Sequence, residues 1–266
     1  MNHFETIICP ECKAVEAAEV VHTIPLWRYA HTCSECGRSI TVNEWNSTGH
    51  LHNTAMEGIL GMMKSNSVDI VVTDAPYGMR KDEEWDDKNH FIKQVNGWVT
   101  ECLRVSKCTV IWFCAGKMMP YILRNREHLF HRLHTWEKPP GTQFAGASNN
   151  NIWFSIEPIL VFSKDIKKTV SYGKECKFVY DSFRYGTIGK KIWHHPTVKP
   201  TNLMAELIMH YSAEGETVLD PFSGSGSTAE ACIKLNRQFI AIEKDKDHFN
   251  TILKRISDIN AQTSLF

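Results

Sequence analysis

The sequence of 266 residues has no apolar run that approaches the roughly 20 residues needed to span a membrane. Its beginning, MNHFETIICPEC, lacks the basic start and long apolar core of a secretory signal, so we expect a cytoplasmic protein with no membrane partner. Charge of one sign is not in excess either, since 30 Lys and Arg residues balance 30 Asp and Glu residues. This balance argues against a uniformly cationic nucleic-acid-binding protein.

Two kinds of apolar pattern alternate along most of the chain. Short β-branched runs predict strands at 68–73, 108–114, 131–136, 156–163, 217–220 and 238–243, and amphipathic patterns predict helices at 91–105, 117–125, 202–211, 226–235 and 246–259. This alternation predicts an α/β domain with a mostly parallel sheet flanked by helices. Ligands bind such sheets outside the carboxyl ends of the strands, where Asp74, Asp220 and Glu243 occur here.

Cysteine is abundant, but its odd count of nine argues against a disulfide framework. Four cysteines form two Cys-x-x-Cys pairs, Cys9 with Cys12 and Cys33 with Cys36, with 20 residues between the pairs. Two such pairs supply four thiolates at tetrahedral geometry, which predicts a structural zinc ion in a zinc ribbon over residues 1–45. Four thiolates leave this metal no open position for catalysis. Residues 46–266 would then form the α/β domain.

A glycine-containing loop, DPFSGSGST, follows the predicted strand TVLD and opens a helix. Glycines let the backbone approach a ligand, and a helix N-terminus offers free N–H groups. The loop lacks both the Gly-Lys-Ser/Thr of a P-loop and the third glycine of a dinucleotide fingerprint. Asp220 would repel a pyrophosphate but attract a sulfonium, and Glu243 ends the next strand, where an acid commonly binds a ribose diol. A ligand with a nucleoside, a positive centre and no phosphate is S-adenosylmethionine (SAM).

The segment Asp74-Ala75-Pro76-Tyr77 follows the predicted strand VDIVVT and is, by itself, ordinary turn chemistry. Together with HPTVKP at 195–200 and the loop at 220–226, it resembles the motifs of the beta group of amino (N6-adenine or N4-cytosine) DNA methyltransferases. That group has the catalytic motif first, then the target-recognition region, then the SAM loop. The resemblance covers about residues 68–259 and implies a Rossmann-like, SAM-dependent methyltransferase fold with permuted motif order.

The resemblance also implies roles for individual residues. The Asp74 carboxylate and the Ala75 carbonyl would hold the two amino hydrogens of the target base, Tyr77 would stack on the extruded base, and Pro76 would fix the turn. The family usually has proline where this chain has Ala75, so we expect reduced preorganisation rather than inactivity. The implied cofactor-binding residues are Thr197, Lys199, Pro200, Asp220, Pro221, Phe222, Gly224, Ser225, Gly226, Thr228 and Glu243.

Between positions 164 and 199, nine basic side chains stand against three acidic ones and are interleaved with aromatic residues. Most charge runs are simply solvated surface, but the aromatic residues favour a face that meets phosphates and bases. We expect the target-recognition region at about 138–195. The predicted DNA-contacting residues are Lys167, Lys168, Lys174, Lys177, Arg184, Lys190 and Lys191.

The expected reaction is methylation of adenine N6 in double-stranded DNA, because Asp at the first motif position resembles adenine-specific members of the family. Cytosine N4 is the alternative acceptor. An alternative of another class is a catalytically inactive zinc-ribbon protein that binds nucleic acid. The resemblance implies a prokaryotic or phage-infected cell, is compatible with a homodimer, and leaves the target sequence and any restriction partner open.

Overall fold

The fold is seen in a computed structural model that describes residues 3–8, 15–20, 30–32, 36–37, 39–41, 49–78, 88–139, 155–165, 180–189 and 197–263. Its strands are β1 His3–Ile8, β2 Val15–Val20, β3 Ala30–Thr32, β4 Ser39–Thr41, β5 Gly49–His52, β6 Val68–Thr73, β7 Ser106–Phe113, β8 Phe130–Glu137, β9 Ile156–Ser163, β10 Ser182–Arg184, β11 Thr217–Asp220 and β12 Gln238–Ile242. Its α-helices are α1 Met56–Leu60, α2 Lys88–Val105, α3 Met119–Leu123, α4 Thr201–Tyr211, α5 Ser227–Lys234 and α6 Lys246–Thr263.

One mixed sheet of ten strands runs through the described part in the order β10-β8-β9-β7-β6-β11-β12-β5-β1-β2. Its centre is parallel, because β7, β6, β11, β12 and β5 pair in parallel. Strand β9 pairs antiparallel with both β7 and β8, while β10 pairs parallel with β8. The predicted, mostly parallel sheet is therefore confirmed for the centre, with antiparallel additions at both sides.

Strand order reverses between β6 and β11, which lie next to each other although 143 residues separate them in the chain. After β6 the chain builds outward through β7, and after β11 it builds outward through β12 in the opposite direction. Such a topological switch point opens a crevice at the carboxyl ends of the two strands. Asp74 follows β6 directly and Asp220 is the last residue of β11.

Two apolar cores cover the two faces of the sheet. Helices α1, α2 and α3 contribute Leu60, Val99 and Ile122 to one core, and helices α4, α5 and α6 contribute Leu207, Cys232 and Ile252 to the other. All six side chains are completely buried. The sheet is thus buried on both sides, which explains why its central strands are continuous apolar runs.

Every strand and helix predicted between residues 68 and 259 is confirmed, with ends shifted by a few residues. The helix expected at 117–125 is shorter, because a 3-10 turn at Gly116–Met118 precedes α3. Strands β5 and β10 and helix α1 were not predicted. None of the helices in the described ranges is long and apolar enough to cross a membrane.

The first two N-terminal strands belong to the main sheet. β1 pairs antiparallel with β5 through Glu5–His52 and Thr6–Leu51, and β2 pairs antiparallel with β1. β3 and β4 form a separate antiparallel pair. The predicted domain boundary near residue 45 stays a prediction, but part of the segment before it extends the sheet of the α/β body.

Candidate active site

The carboxyl edge of the central sheet borders a cavity of about 1140 Å³. The predicted acids Asp74, Asp220 and Glu243 all line it. The cavity extends from the loop after β11 to the ends of β8 and β9, where Lys138 and Glu157 also line it. A cavity of this volume has room for a nucleoside-sized ligand at one end and a second group at the other.

Asp220 holds the loop after β11 in shape. One of its carboxylate oxygens accepts hydrogen bonds from the Thr73 hydroxyl at 2.9 Å and the Phe222 amide at 3.2 Å, and the other accepts from the Thr228 hydroxyl at 2.5 Å. The carboxyl is only 3% exposed. Burial raises its pKa to about 6, although these three donors act in the opposite direction.

The two glycines of this loop have different surroundings. Gly224 lines the cavity and its amide donates to the Glu243 carboxylate at 2.8 Å. Gly226 does not line the cavity: its φ is +82°, and a Cβ there would lie 3.1 Å from Ile252. Gly224 therefore lies at the ligand side and Gly226 packs against α6, while the positive φ of both residues favours glycine.

Glu243 follows β12 and closes the loop from the other side. Besides the Gly224 amide it accepts a hydrogen bond from the Asp245 amide at 2.8 Å. Burial raises the pKa of its carboxyl. Its position at the strand end, beside the glycine loop, is the one at which an acid commonly binds a ribose diol in this kind of sheet.

Asp74 has donors on both carboxylate oxygens. Oδ1 accepts from the Tyr77 hydroxyl at 2.6 Å and Oδ2 accepts from the Lys199 ammonium at 2.5 Å. Ala75 is buried in the core on the α2 side of the sheet, and Pro76 lines the cavity. The Lys199 side chain was expected in the adenosyl pocket by resemblance; it lines the same cavity, but its ammonium contacts the acid of the Asp74–Tyr77 segment.

A second buried acid, Glu157 on β9, completes this cluster and was not predicted from the sequence. Its Oε1 lies 2.6 Å from the Tyr77 hydroxyl and 3.1 Å from the Lys199 ammonium. Its Oε2 accepts from the Lys138 ammonium at 2.7 Å. Glu157 reaches the site because β9 is antiparallel to β7, so the beginning of β9 lies at the same edge as the carboxyl ends of the parallel strands.

The surroundings shift the pKa values of Asp74 and Glu157 in opposite directions. Burial raises the pKa of Asp74, and the Lys199 ammonium offsets this only partly. Burial acts on Glu157 in the same direction, but Lys199 and Lys138 outweigh it and hold its pKa below the usual range. Burial lowers the pKa of Lys199, yet the two carboxylates outweigh burial and raise it. Such divergence within one cluster is typical of functional sites.

The other predicted cofactor residues fall into two groups. Thr197, Pro221, Phe222, Ser225 and Thr228 line the cavity, together with Ser223 and Ser227, which were not predicted. Pro200 is buried at the start of α4 and does not line it. Phe222 packs edge-on against Trp98, with ring centroids 4.9 Å apart, so this side chain anchors the loop in the core.

Arg255 on α6 holds the glycine loop in place through hydrogen bonds, and this contact was not predicted from the sequence. Its guanidinium is 2% exposed and donates to the Ser225 carbonyl at 2.9 Å and to the Glu230 carboxylate at 2.5 Å. It also reaches the Thr201 hydroxyl at 2.7 Å, which ties the loop to α4. A buried arginine in the pattern of an amphipathic helix is the only signal that could have pointed to it.

Of the residues predicted to contact nucleic acid, the structure describes only Arg184. Lys167, Lys168, Lys174, Lys177, Lys190 and Lys191 lie outside the described residues, as does most of the expected target-recognition region. Arg184 is described: it is highly exposed on β10 and pairs with Glu137 at 2.7 Å. Its contact with DNA stays a prediction.

The predicted metal ligands Cys9, Cys12 and Cys33 also lie outside the described residues, while Cys36 is described and exposed. Within the described ranges, no three His, Cys, Asp or Glu side chains come together as a metal site. The described strands bracket both pairs: β1 ends immediately before Cys9, and β3 ends immediately before Cys33.

Comparison with known proteins identifies relatives over the same region. A family model described as DNA methylase, of the N6/N4 methyltransferases, matches residues 68–254. The type II methyltransferase M.HpaI of Haemophilus parainfluenzae is 29% identical over 233 residues, which are 76% of this chain and 73% of that protein.

Solved structures resemble the fold. The crystal structure of an M1.HpyAVI–SAM complex superimposes with a TM-score of 0.61 at 25% identity, covering 77% of this chain and 98% of that chain. The cytosine-N4-specific PvuII DNA methyltransferase superimposes with a TM-score of 0.66 at 13% identity, covering 79% of this chain and 86% of that chain. At that identity, the second similarity shows the shared fold alone.

Proposed function

Because this chain belongs to the N6/N4 DNA methylase family, we propose that it transfers the methyl group of SAM to the exocyclic N6 of adenine in double-stranded DNA. The observation that carries the proposal is the cavity at the switch point. It brings the Asp74–Tyr77 segment after β6 and the glycine loop after β11 to one crevice.

The residues around the loop suit SAM in chemical type. The loop opens helix α5 and presents Gly224 to the cavity, with Glu243 beside it in the position of a ribose-binding acid. The carboxyl groups of the buried Asp220 and the partly buried Glu243 lie at this end of the cavity, which disfavours a phosphate and suits a cationic ligand. When bound, SAM would supply the methyl group from its sulfonium centre, with the neutral thioether S-adenosylhomocysteine as the leaving group, and the methylated amino nitrogen would lose one proton. Ser225 provides a hydroxyl for the polar end of such a ligand, whereas the Thr228 and Ser227 hydroxyls already donate to Asp220 and to the Lys199 carbonyl.

The other end of the cavity suits an extruded base. The amino group of adenine or cytosine is a poor nucleophile because its lone pair is delocalised into the ring, so acceptors that orient its two hydrogens promote attack. The Asp74 carboxylate and the Ala75 carbonyl would be these acceptors, and the Tyr77 ring would stack on the base. A main-chain carbonyl is present with alanine as with proline, so the substitution at position 75 leaves this acceptor in place.

The choice of adenine rests on Asp74 at the first position of the motif, which resembles adenine-specific members. Cytosine N4 stays the alternative acceptor, since the family includes both chemistries and the PvuII enzyme, which shares the fold, is named as cytosine-N4-specific. The two acceptors present the same NH₂ group to Asp74. The preference for adenine therefore comes from the likeness of the motif to adenine-specific members, and not from a contact that Asp74 alone makes.

One experiment separates these possibilities. The full chain is incubated with methyl-labelled SAM and unmodified double-stranded DNA of mixed sequence, which is then digested to nucleosides and separated. We expect labelled N6-methyladenine, and the variant Asp74→Ala prepared in parallel sets the background. Labelled N4-methylcytosine would replace the proposed acceptor by the alternative, and no label above the background would favour the inactive binding protein.

We further propose that Cys9, Cys12, Cys33 and Cys36 hold a structural zinc ion. Each Cys-x-x-Cys pair stands in the chain between two antiparallel strands, with Ile8 opposite Val15 and Thr32 opposite Ser39. Gly37, directly after the second pair, has a φ of +70°, the conformation that a tight turn around a metal favours. Four thiolates would bind Zn²⁺ tetrahedrally and supply folding energy to a segment too small for its own core.

Metal analysis tests the zinc site. Protein purified without chelators from zinc-containing medium is expected to carry about one zinc ion per chain, and the variant Cys33→Ser to lose most of it, because three thiolates bind far more weakly. Cys108→Ser, which alters a cysteine on β7 outside the two pairs, should retain the metal. Wild-type protein that carries no zinc while its four cysteines are reduced would contradict the site.

A further inference from the structure

We propose that Glu157 is a positioning residue of methyl transfer: it takes over the Lys199 ammonium and the Tyr77 hydroxyl while Asp74 accepts the amino group of the target base. This inference rests on the proposed function and adds a residue that the sequence motifs do not include. Glu157 acts through Lys199 and Tyr77, without contact with the base.

The geometry places both donors between the two acids. The Tyr77 hydroxyl is 2.6 Å from Asp74 Oδ1 and 2.6 Å from Glu157 Oε1. The Lys199 Nζ is 2.5 Å from Asp74 Oδ2 and 3.1 Å from Glu157 Oε1. A phenol hydroxyl carries a single proton and donates to only one carboxylate at a time. Either acid can therefore hold the donors with little movement of Tyr77 or Lys199.

Asp74 needs such a partner because each of its oxygens already accepts one hydrogen bond, so a base must share the carboxylate with Lys199 and Tyr77. A base amino group must find an acceptor on the Asp74 carboxylate, and Lys199 and Tyr77 occupy one oxygen each. Were Asp74 the sole counter-ion, its engagement with a base would leave the Lys199 ammonium, which is 6% exposed, without a close anionic partner. A buried, uncompensated charge is strongly unfavourable. Glu157 removes this penalty.

Glu157 is itself fixed in the position that this role requires. Its second oxygen accepts from Lys138 at 2.7 Å, and the Lys138 ammonium lies 4.6 Å from the centre of the Trp136 ring. Among the described residues, two carboxylates and two ammonium groups therefore lie together in one largely buried cluster. These charges stay balanced when Asp74 accepts hydrogen bonds from the neutral amino group of a base, because no charge has to leave or enter the cluster.

The variant Glu157→Gln keeps the shape and the carbonyl acceptor but removes the charge. Lys199 would then pair with Asp74 alone, and the Asp74 carboxylate would be less available to the base. We expect kcat to fall about 30-fold, the size of one lost charge-assisted interaction, while the Kd for SAM stays within about twofold. Glu101→Gln, which alters an acid on α2 that pairs with Arg104 and lies outside this cavity, should leave kcat unchanged.

A double-mutant cycle separates positioning from general structural support. If the charge of Glu157 acts through Lys199, then Lys199→Met combined with Glu157→Gln should lose clearly less rate than the product of the two single losses. Losses that multiply, or a Glu157→Gln enzyme with the wild-type kcat, would overturn the inference. Glu157→Asp keeps the charge on a shorter side chain and should recover part of the lost rate. If Glu157→Gln does not fold, the rate of Glu157→Asp relative to wild type still tests the role of Glu157.

The wild-type enzyme in the same assay distinguishes a failure of the proposed function from a failure of the role of Glu157. Wild-type protein that binds SAM but methylates no DNA would remove the proposed function itself. Wild-type protein that methylates DNA, with a Glu157→Gln variant equally fast, would leave that function intact and remove only the role of Glu157. Melting temperatures of all variants, measured with SAM present, identify any loss that comes from unfolding.

Discussion

Replacement of Asp74 by Asn is expected to lower the kcat of DNA methylation about 1000-fold, while SAM binding stays within about twofold of wild type. The carboxamide is uncharged and turns one acceptor oxygen into an NH₂ donor, which would face the amino hydrogens of the base. Loss of one preorganised polar contact to a reacting group typically costs 10²- to 10³-fold. Asp74 additionally lies beside the Lys199 ammonium, whose charge it balances.

Single-turnover methylation and calorimetric SAM binding measure the two quantities separately. Asp69→Asn is a matched control, because Asp69 lies on the same strand and pairs with Lys107 at 2.6 Å and with the Thr217 amide at 2.9 Å, away from the cavity. An Asp74→Asn variant with the wild-type rate would contradict the catalytic role.

The second prediction concerns Asp220 and the pH dependence of stability. Its pKa is raised to about 6 in the folded protein, from an ordinary value of 3.8. The folded state therefore retains this proton to higher pH than the unfolded state, so the stabilising contribution is fully present below about pH 4 and is lost as the pH rises through 6. A difference of about two pKa units corresponds to about 3 kcal/mol of free energy of unfolding.

Asp220→Asn removes this titration. The Asn side chain can still accept from Thr73 and the Phe222 amide and can donate to Thr228, so the loop keeps its contacts. Relative to the variant, the wild-type free energy of unfolding should fall by about 3 kcal/mol between low pH and pH 7.5. Urea unfolding without SAM from pH 4 to 7.5 measures it, with the exposed Asp247→Asn as control. Parallel curves for wild type and Asp220→Asn would contradict the burial of an ionisable Asp220.

The parts of this protein that could be predicted from sequence are those governed by local pattern. The strands before Asp74 and Asp220 are continuous apolar runs, and such runs are characteristic of strands buried on both faces. The rule that ligands bind at the carboxyl ends of parallel strands predicts Asp74, Asp220 and Glu243 at one edge of the sheet. The structure does bring these three residues to a common cavity.

Glu157 and Lys138 escaped prediction because their position depends on strand direction. Glu157 is 83 residues from Asp74 in the chain, and an acid near the start of a predicted strand carries no signal by itself. Only the antiparallel pairing of β9 with β7 brings it to the carboxyl edge. The pairing of β1 with β5 was not predicted because β5 is only four residues long and contains two histidines, so its apolar pattern is weak.

The pairing of β8 with β9 fixes where the chain leaves the sheet and returns to it. The Lys138 amide donates to the Ser155 carbonyl at 2.8 Å, so these two residues are neighbouring anchor points. The Lys138 side chain pairs with Glu157 in the buried charge cluster, so one anchor also belongs to the chemical centre. We expect that replacing residues 140–154 leaves both the anchor points and this cluster in place.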